Sequence, residues 1–471
     1  MAAPVRAETF AERGADAVQT ILSPAWYAGA SRFRLCPGCR ATNSDWGADS
    51  MIGALYERWM LTHDPHIARA FSQIVAGEPG LTLGTFSDVP MWDAVAAIRA
   101  YDVTHDPRAL ANAERNYRAL VTTSGFALSP CPEIDYQLSG GAAGGLKTLE
   151  TDANRILAAV LLSQRTTDAE EARADLRDAQ TLYDAVRRRF RDPRLPLYTV
   201  YLFAEGTECR AVPRQFFASV NGLMIEAGLE LAHATRDERY AKDARATADA
   251  IALLADGRGV FADLQAQNDI VEPLVLAMAK LARTDPKAKA WIVRNASAAA
   301  LARAPDGSYG RFFDGPPPPR GGTNSVFETN GGLALAIAAA AFAPRAEPEP
   351  GVWSHARARP VAIGGVPSTY AFTGSGIALI GALPRPGDRL CRPLTVGPCE
   401  GGHVHLRIDG REMADEIGIW QGKALVASSK TVLFAWRWPA SGRHRIDFDR
   451  ASSNAKQGET AIDVSEALIL P

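Results

Sequence analysis

Five short stretches of this 471-residue chain resemble one another: "LTHDPHIARA" from 61, "VTHDPRALANAE" from 103, "QRTTDAEEARADL" from 164, "HATRDERYAKDA" from 233 and "ARTDPKAKAWI" from 282. Each sets a Thr near an Asp, often followed by Pro, ahead of a charged helical pattern. An Asp at that point caps a helix by accepting backbone N–H bonds, and Pro suits the first turn because its missing N–H has no intrahelical role there. The stretches are tight links into helices, so the chain is a series of helical hairpins.

A more apolar helix precedes each link, over about 46–62, 90–104, 150–165, 219–235 and 270–283, and a sixth follows at about 327–342 ("FETNGGLALAIAAAAF"). The helices after the links, with one more at about 7–22, alternate with charges and are one-sided. Apolar helices need cover on most sides, whereas one-sided helices form an outer layer. Six inner and six outer helices could make an open solenoid or a closed toroid. No terminal hairpin looks like a cap, so the expectation is a closed (α/α)6 barrel.

If every Thr-Asp link leaves the C-terminal end of an inner helix, all links lie on one face. The longer loops leading into the inner helices, 23–45, 78–90, 122–150, 191–218, 255–270 and 304–326, lie on the other, where function is expected. The stretch "FSDVPMWDAVAAIRAYDVTHD", from 86, thus has Asp88 at its working end and His105 and Asp106 at its back.

The texture changes after "APRAEPEPGVW", a Pro/Glu linker. Period-two segments follow: "HVHLRIDG" with an Asp-Gly turn, "TVLFAWRWPASG", "RHRIDFD" and "TAIDVSEALIL". The expected division is a barrel over 1–345, a linker over 346–360 and an all-β sandwich over 361–471. The chain is therefore mainly α with a β appendage.

With a formal net charge of −2 and acids and bases interspersed, the protein offers no basic field for phosphate backbones, so nucleic acid is not an expected partner. No apolar run is long enough to span a bilayer, and the start "MAAPVRAETF" lacks a secretory h-region, as when a signal has been removed. Six cysteines, Cys36, Cys39, Cys131, Cys209, Cys391 and Cys399, sit in Pro/Gly-flanked surroundings. Disulfides fit this better than a zinc site or free thiols, and the CxxC at 36–39 lacks the βαβ context of a redox motif. A periplasmic or extracellular monomer is the expectation.

The leading loops carry Asn43, Asp45, Trp46 and Asp49; Asp88, Trp92 and Asp93; Glu133, Asp135 and Tyr136; Glu150, Asp152 and Asn154; Asn221; Asn268, Asp269 and Glu272; Asn324, Glu328 and Asn330. Any one acid among them could be a helix cap and nothing more. Carboxylates, amides and rings together, however, are what sugar recognition needs, because hydroxyls take paired hydrogen bonds and sugar faces stack on aromatics. All eight histidines fall on the links or beyond the barrel. Histidine-held metals and Ser-His-Asp chemistry are disfavoured, and proton transfer falls to carboxylates, with Tyr136 as a further candidate. Paired carboxylates acting on an acetal are the glycosidase solution.

"SDVPMWDAVAAIRAYDVTHDP" resembles the signature helix of glycoside hydrolase family 76, the endo-α-1,6-mannanases, in which an adjacent Asp pair precedes a Trp-containing helix. Fainter similarity runs through "SDWGADSMIGALYERWMLTHDP", "ETDANRILAAVLLSQRTTD", "NGLMIEAGLELAHATRDERYA" and "VLAMAKLARTDPKAKAWI", over about 44–342. The resemblance implies an (α/α)6 barrel and makes Asp88 the nucleophile of a retaining mechanism. Val89 stands where the family has its acid/base Asp. Asp93 is the nearest substitute, with Asp45, Asp135 and Asp152 as rivals. Trp46, Trp92, Asp135, Tyr136, Asn154 and Asn221 are expected to line sugar subsites.

The C-terminal part resembles carbohydrate-associated jelly-roll modules, in "YAFTGSGIALIGAL", "VHLRIDGR" and "GRHRIDFD". Trp436 and Trp438 share one face of a strand, as core or as a stacking platform, Trp420 is a surface candidate, and Cys391 with Cys399 would staple a loop. The expected activity is endo-acting hydrolysis of a polysaccharide, an α-mannan or a bacterial exopolysaccharide, with no cofactor or metal called for. The alternatives are a uronate-polymer lyase using Tyr136 with Arg214, and a catalytically silent glycan-binding protein.

Overall fold

A computed structural model describes residues 8–29, 32–43, 45–77, 86–122, 130–131, 133–134, 146–264, 270–319, 322, 324–343, 352–363, 367–381, 400–420, 430–450 and 464–471. Twelve α-helices stand among them: α1 (Phe10–Leu22), α2 (Trp46–Thr62), α3 (Pro65–Gly77), α4 (Val89–Thr104), α5 (Pro107–Thr122), α6 (Leu149–Ser163), α7 (Ala169–Arg189), α8 (Ala218–Thr235), α9 (Glu238–Ala250), α10 (Glu272–Ala282), α11 (Pro286–Ala299) and α12 (Val326–Ala339). The expected six apolar and six one-sided helices are all present.

The Thr-Asp links work as their chemistry dictates. Thr62, Thr104 and Thr235 each turn their hydroxyl back onto the carbonyl four residues earlier. The next residue, His63, His105 or Arg236, closes the helix in the left-handed region, with φ of 49°, 54° and 62°. The following Asp then accepts the backbone N–H two residues on, at 2.8 Å for Asp64, 2.9 Å for Asp106 and 3.0 Å for Asp237. The Thr hydroxyl, the left-handed cap N–H and the Asp carboxylate each have a backbone partner, which suits so short a connection.

The contacts divide the chain into two compact units. In the unit built on residues 43–251, inner helices α2, α4, α6 and α8 pack in sequence, each backed by its hairpin partner. In the other unit α10 packs on α11 and α12, and α1 packs on α12. The first helix thereby supplies the outer partner of the last. Gly14 allows the approach, since a Cβ there would stand 3.1 Å from the Ala336 carbonyl.

The same unit holds the C-terminal sheet, whose strands are β7 (Arg357–Ile363), β8 (Ser368–Gly381), β9 (Glu400–Ile408), β10 (Arg411–Trp420), β11 (Thr431–Arg450) and β12 (Val464–Leu470). They form one antiparallel sheet in the order β10-β9-β11-β8-β12-β7. The expected two-sheet sandwich is not what the described residues form. The first strand also begins at Arg357, inside the segment read as linker, because Pro360 sits on the edge strand β7, where its missing N–H disrupts no ladder. The Asp-Gly turn is as expected: Asp409 and Gly410 take φ of 54° and 77° between β9 and β10.

The sheet rests on the loops before α10 and α12. Phe434 meets Phe312 edge to face with centroids 6.2 Å apart, and Asp314 takes Arg437 at 2.6 Å and Arg258 at 3.3 Å. Trp436 is buried in this core, stacked on Phe434, and so is not a platform. Trp438 is half-buried, stacked on His444 at 3.9 Å, with its Nε1 donating to Asp409. The side chain of Trp420 lies outside the described residues.

Two disulfides are formed, Cys36–Cys39 and Cys131–Cys209. The CxxC is thus a local staple and not half of a zinc site. Cys391 and Cys399 lie outside the described residues.

Candidate active site

Three short strands of one sheet, β4 (Leu146–Thr148), β5 (Tyr201–Glu205) and β6 (Glu208–Ala211), lie in the unit built on residues 43–251, where β4 leads directly into α6. The ion pair between Arg99 of α4 and Glu226 of α8, at 3.1 Å, decides which way the inner helices face. It passes α6, which packs between those two helices, so Arg99 and Glu226 lie on the concave side of the α2-α4-α6-α8 series. At 100° per residue, Asp88, Trp92 and Arg99 fall within about 40° of one line along α4. Asp88 itself has helical dihedrals, φ −73° and ψ −36°, so the line extends to it.

The same phase applies to the neighbours. Ser219 precedes Glu226 by two turns on α8, and Asp49 precedes Tyr56 by two turns on α2, where Arg99 lies over the Tyr56 ring at 5.9 Å. Asp49, Asp88 and Ser219 therefore head the concave lines of their helices.

Helix α6 is fixed between them by its first turn. The Thr151 hydroxyl shares a 2.7 Å hydrogen bond with Ser87, beside Asp88, and the Ser219 hydroxyl donates to Glu150 Oε1 at 3.4 Å. Glu150 thus turns toward α8 and Thr151 toward α4. The heads of these concave lines form the mouth of the face, where Glu150 is turned toward Ser219 and Trp92 follows one turn below Asp88.

Asp88 holds the N-cap position of α4 yet makes no capping hydrogen bond, and it is 4 % exposed. Asp45 heads α2 likewise without capping it, and its carboxylate takes the Asn43 side-chain amide instead. Pro90 in the first turn of α4 removes one N–H that a cap would otherwise serve. The simple reading of these acids as caps fails for both, although it holds for the link acids.

Asp93 sits five residues after Asp88, about 140° around the helix, and so leaves the concave line. Asp152 follows Thr151 and Glu150 by turning farther round α6, to the side where Arg155 reaches Asp178 of α7 at 2.8 Å. It is fully buried, and burial together with the nearby Glu133 carboxylate pushes its pKa up to about 8, against the pull of Arg155, Lys147 and the Ile134 amide. Lys147 is held by the Glu133 carbonyl at 2.6 Å and Arg189 by the Glu133 carboxylate at 3.0 Å. Asp152, Glu133 and Lys147 are all buried.

Trp92 is 3 % exposed, and its Nε1 has no hydrogen-bond partner among the described residues. Trp46 is half-buried at the head of α2. Asn154 is buried and donates to the Glu150 carbonyl at 2.9 Å. Asn221 accepts from the Tyr198 N–H and donates to the Tyr198 and Phe217 carbonyls, so it clamps backbone and is not free to meet a sugar. Asp135, Tyr136, Asn268 and Asp269 lie outside the described residues. Glu150, which no sequence signal separated from its neighbours, is turned toward α8 by the Ser219 hydroxyl.

The sequence matches no family model and no curated protein. Solved structures do match. An α-1,6-mannanase of glycoside hydrolase family 76 from Salegentibacter sp. superposes with a TM-score of 0.59 over 70 % of this chain and 99 % of its own, at 19 % identity. A family 76 α-mannanase from Bacteroides thetaiotaomicron gives 0.59 over 71 % and 96 %, at 16 % identity, and a family 76 mannosidase from the same species gives 0.58 over 70 % and 98 %, at 12 %. The fold is that of the family 76 glycoside hydrolases. A variant of the Salegentibacter family 76 enzyme with two consecutive aspartates changed to asparagine is described as inactive, in complex with α-1,6-mannotriose. No group of His, Cys, Asp and Glu among the described residues of this family 76-like chain could hold a metal ion.

Proposed function

We propose that the protein is an endo-acting glycoside hydrolase that cleaves a polysaccharide at the mouth of the concave face. The observation that carries this reading is Asp88: buried at the head of α4, excused from capping, and in line with a Trp one turn below. It also stands where the family resemblance puts a nucleophile. An anomeric carbon presented there would meet a fixed carboxylate, and a sugar hydroxyl could accept from the Trp92 Nε1. The near-neutral charge fits a neutral glycan, an α-mannan or a bacterial exopolysaccharide. Two disulfides support an exported location, and no helix among the described residues is long and apolar enough to cross a membrane.

The test is product release from a panel of bacterial and fungal polysaccharides that includes α-1,6-mannan. Reducing ends from the native protein, absent with Asp88→Asn and without new ultraviolet absorbance, are the expected result. Absorbance of an unsaturated product would replace hydrolysis by lyase chemistry, and undiminished turnover by Asp88→Asn would remove Asp88 from the mechanism. Val89 favours one second reading, a silent glycan-binding protein. That protein would retain ligand affinity and release nothing.

A further inference from the structure

Hydrolysis at Asp88 needs a proton donor for the departing sugar, and Val89 has none to give. We propose that Glu150, in the first turn of α6, is the acid/base partner of Asp88; this rests on the hydrolase reading above. Three placements carry it. The Ser87–Thr151 hydrogen bond ties the head of α4 to the first turn of α6, one residue from each carboxylate. The Ser219 hydroxyl, at the head of the α8 concave line, holds Glu150 Oε1 on the concave side. Trp92, more than nine-tenths buried, has an indole N–H without a hydrogen-bond partner among the described residues on the same line as Asp88, as a floor awaiting a hydroxyl would.

The rival acids among the described residues, a set that leaves out Asp135, are turned elsewhere. Asp93 lies about 140° off the Asp88 line, and Asp152 is fully buried near Arg155. Asp45 is engaged by the Asn43 amide. Among the described residues of this unit, Asp49 on α2 heads the remaining concave line and serves as the control.

The step balances without any group beyond substrate and water. The Glu150 carboxyl gives its proton to the glycosidic oxygen as the bond from that oxygen to the anomeric carbon breaks, and an Asp88 oxygen bonds to that carbon. The leaving sugar departs as an alcohol. Glu150, now a carboxylate, takes a proton from water as the water oxygen adds to the anomeric carbon and Asp88 is released.

The experiment compares the native protein, Glu150→Gln, Asp49→Asn and Asp88→Asn on α-1,6-mannan and on a 2,4-dinitrophenyl α-1,6-mannobioside, whose phenolate leaves without a proton. Glu150→Gln is expected to slow mannan turnover by about 10²- to 10⁴-fold, to slow loss of dinitrophenolate far less, and to abolish the alkaline limb of the pH–rate profile. Azide should then accelerate turnover of the aryl substrate by this variant alone. Equal losses on both substrates, no loss, or the same signature from Asp49→Asn would overturn the assignment while leaving the hydrolase reading intact. Native protein silent on both substrates and on the wider panel would remove the two together.

Discussion

Arg99 of α4 reaches Glu226 of α8 across the face of α6, with the charged atoms 3.1 Å apart and both side chains largely buried. A buried ion pair contributes little net stability when whole, but removing one partner strands the other charge in a low dielectric. Arg99→Met should cost about 3–5 kcal/mol, and Arg99→Met combined with Glu226→Leu should cost less than Arg99→Met alone. Urea midpoints of the three proteins check this; a double variant as unstable as the sum of the singles would refute it.

The two ends of α4 should respond differently to loss of an acid. Asp106 caps α5 through the Arg108 N–H and side chain, so Asp106→Ala should lower Tm modestly and leave turnover unchanged. Asp88→Asn should abolish turnover with a smaller change in Tm, since Asp88 caps nothing. Calorimetry beside the polysaccharide assay separates the two effects.

Asp152 makes stability depend on pH. Its folded-state pKa of about 8 lies above the ordinary 3.8, so the folded protein keeps a proton that the unfolded chain releases between those values. Its contribution is full below about pH 4 and falls as pH rises toward about 8, by at most about 1.4 kcal/mol per pH unit. Asp152→Asn holds the neutral form throughout. The variant should therefore gain on the native protein between pH 5 and pH 8 in urea titrations, and parallel curves would count against the buried, protonated state.

Gly257 sits where the C-terminal sheet meets the loop after α9. Its N–H donates to the Arg437 carbonyl at 3.0 Å, and a Cβ would stand 2.7 Å from that same backbone oxygen. Gly257→Ala should force the two backbones apart at a cost of about 1–3 kcal/mol. Faster proteolysis within β8 to β12, with the helical segments spared, is the expected readout.

The sequence was legible where local chemistry decides the outcome. Thr62, Thr104 and Thr235 with the Asp two positions on specify tight helix-to-helix links by hydrogen bonds within a few residues, and the twelve helices follow from them. The Asp409-Gly410 turn belongs to the same class, because positive φ at both residues is a local preference. The single sheet, where a sandwich was expected, was not legible. Alternation along β9 tells which side chains share a face, but the pairing of β8 with both β11 and β12 in one sheet depends on partners distant in sequence.

What the sequence determined by itself is the hairpin repeat, the end of each helix that carries long loops, and Asp88 as a candidate. Only the tertiary structure shows how the neighbouring acids of α6 are turned. Residues 150, 151 and 152 are successive in one helical turn, 100° apart, and composition treats Glu150 and Asp152 alike. The packing of α6 between Ser87 and Ser219 sets the rotation of that turn, which directs Glu150 toward Ser219 and leaves Asp152 buried. Helical phase is readable from sequence. Its absolute orientation is not, because it is fixed by contacts between side chains more than sixty positions apart.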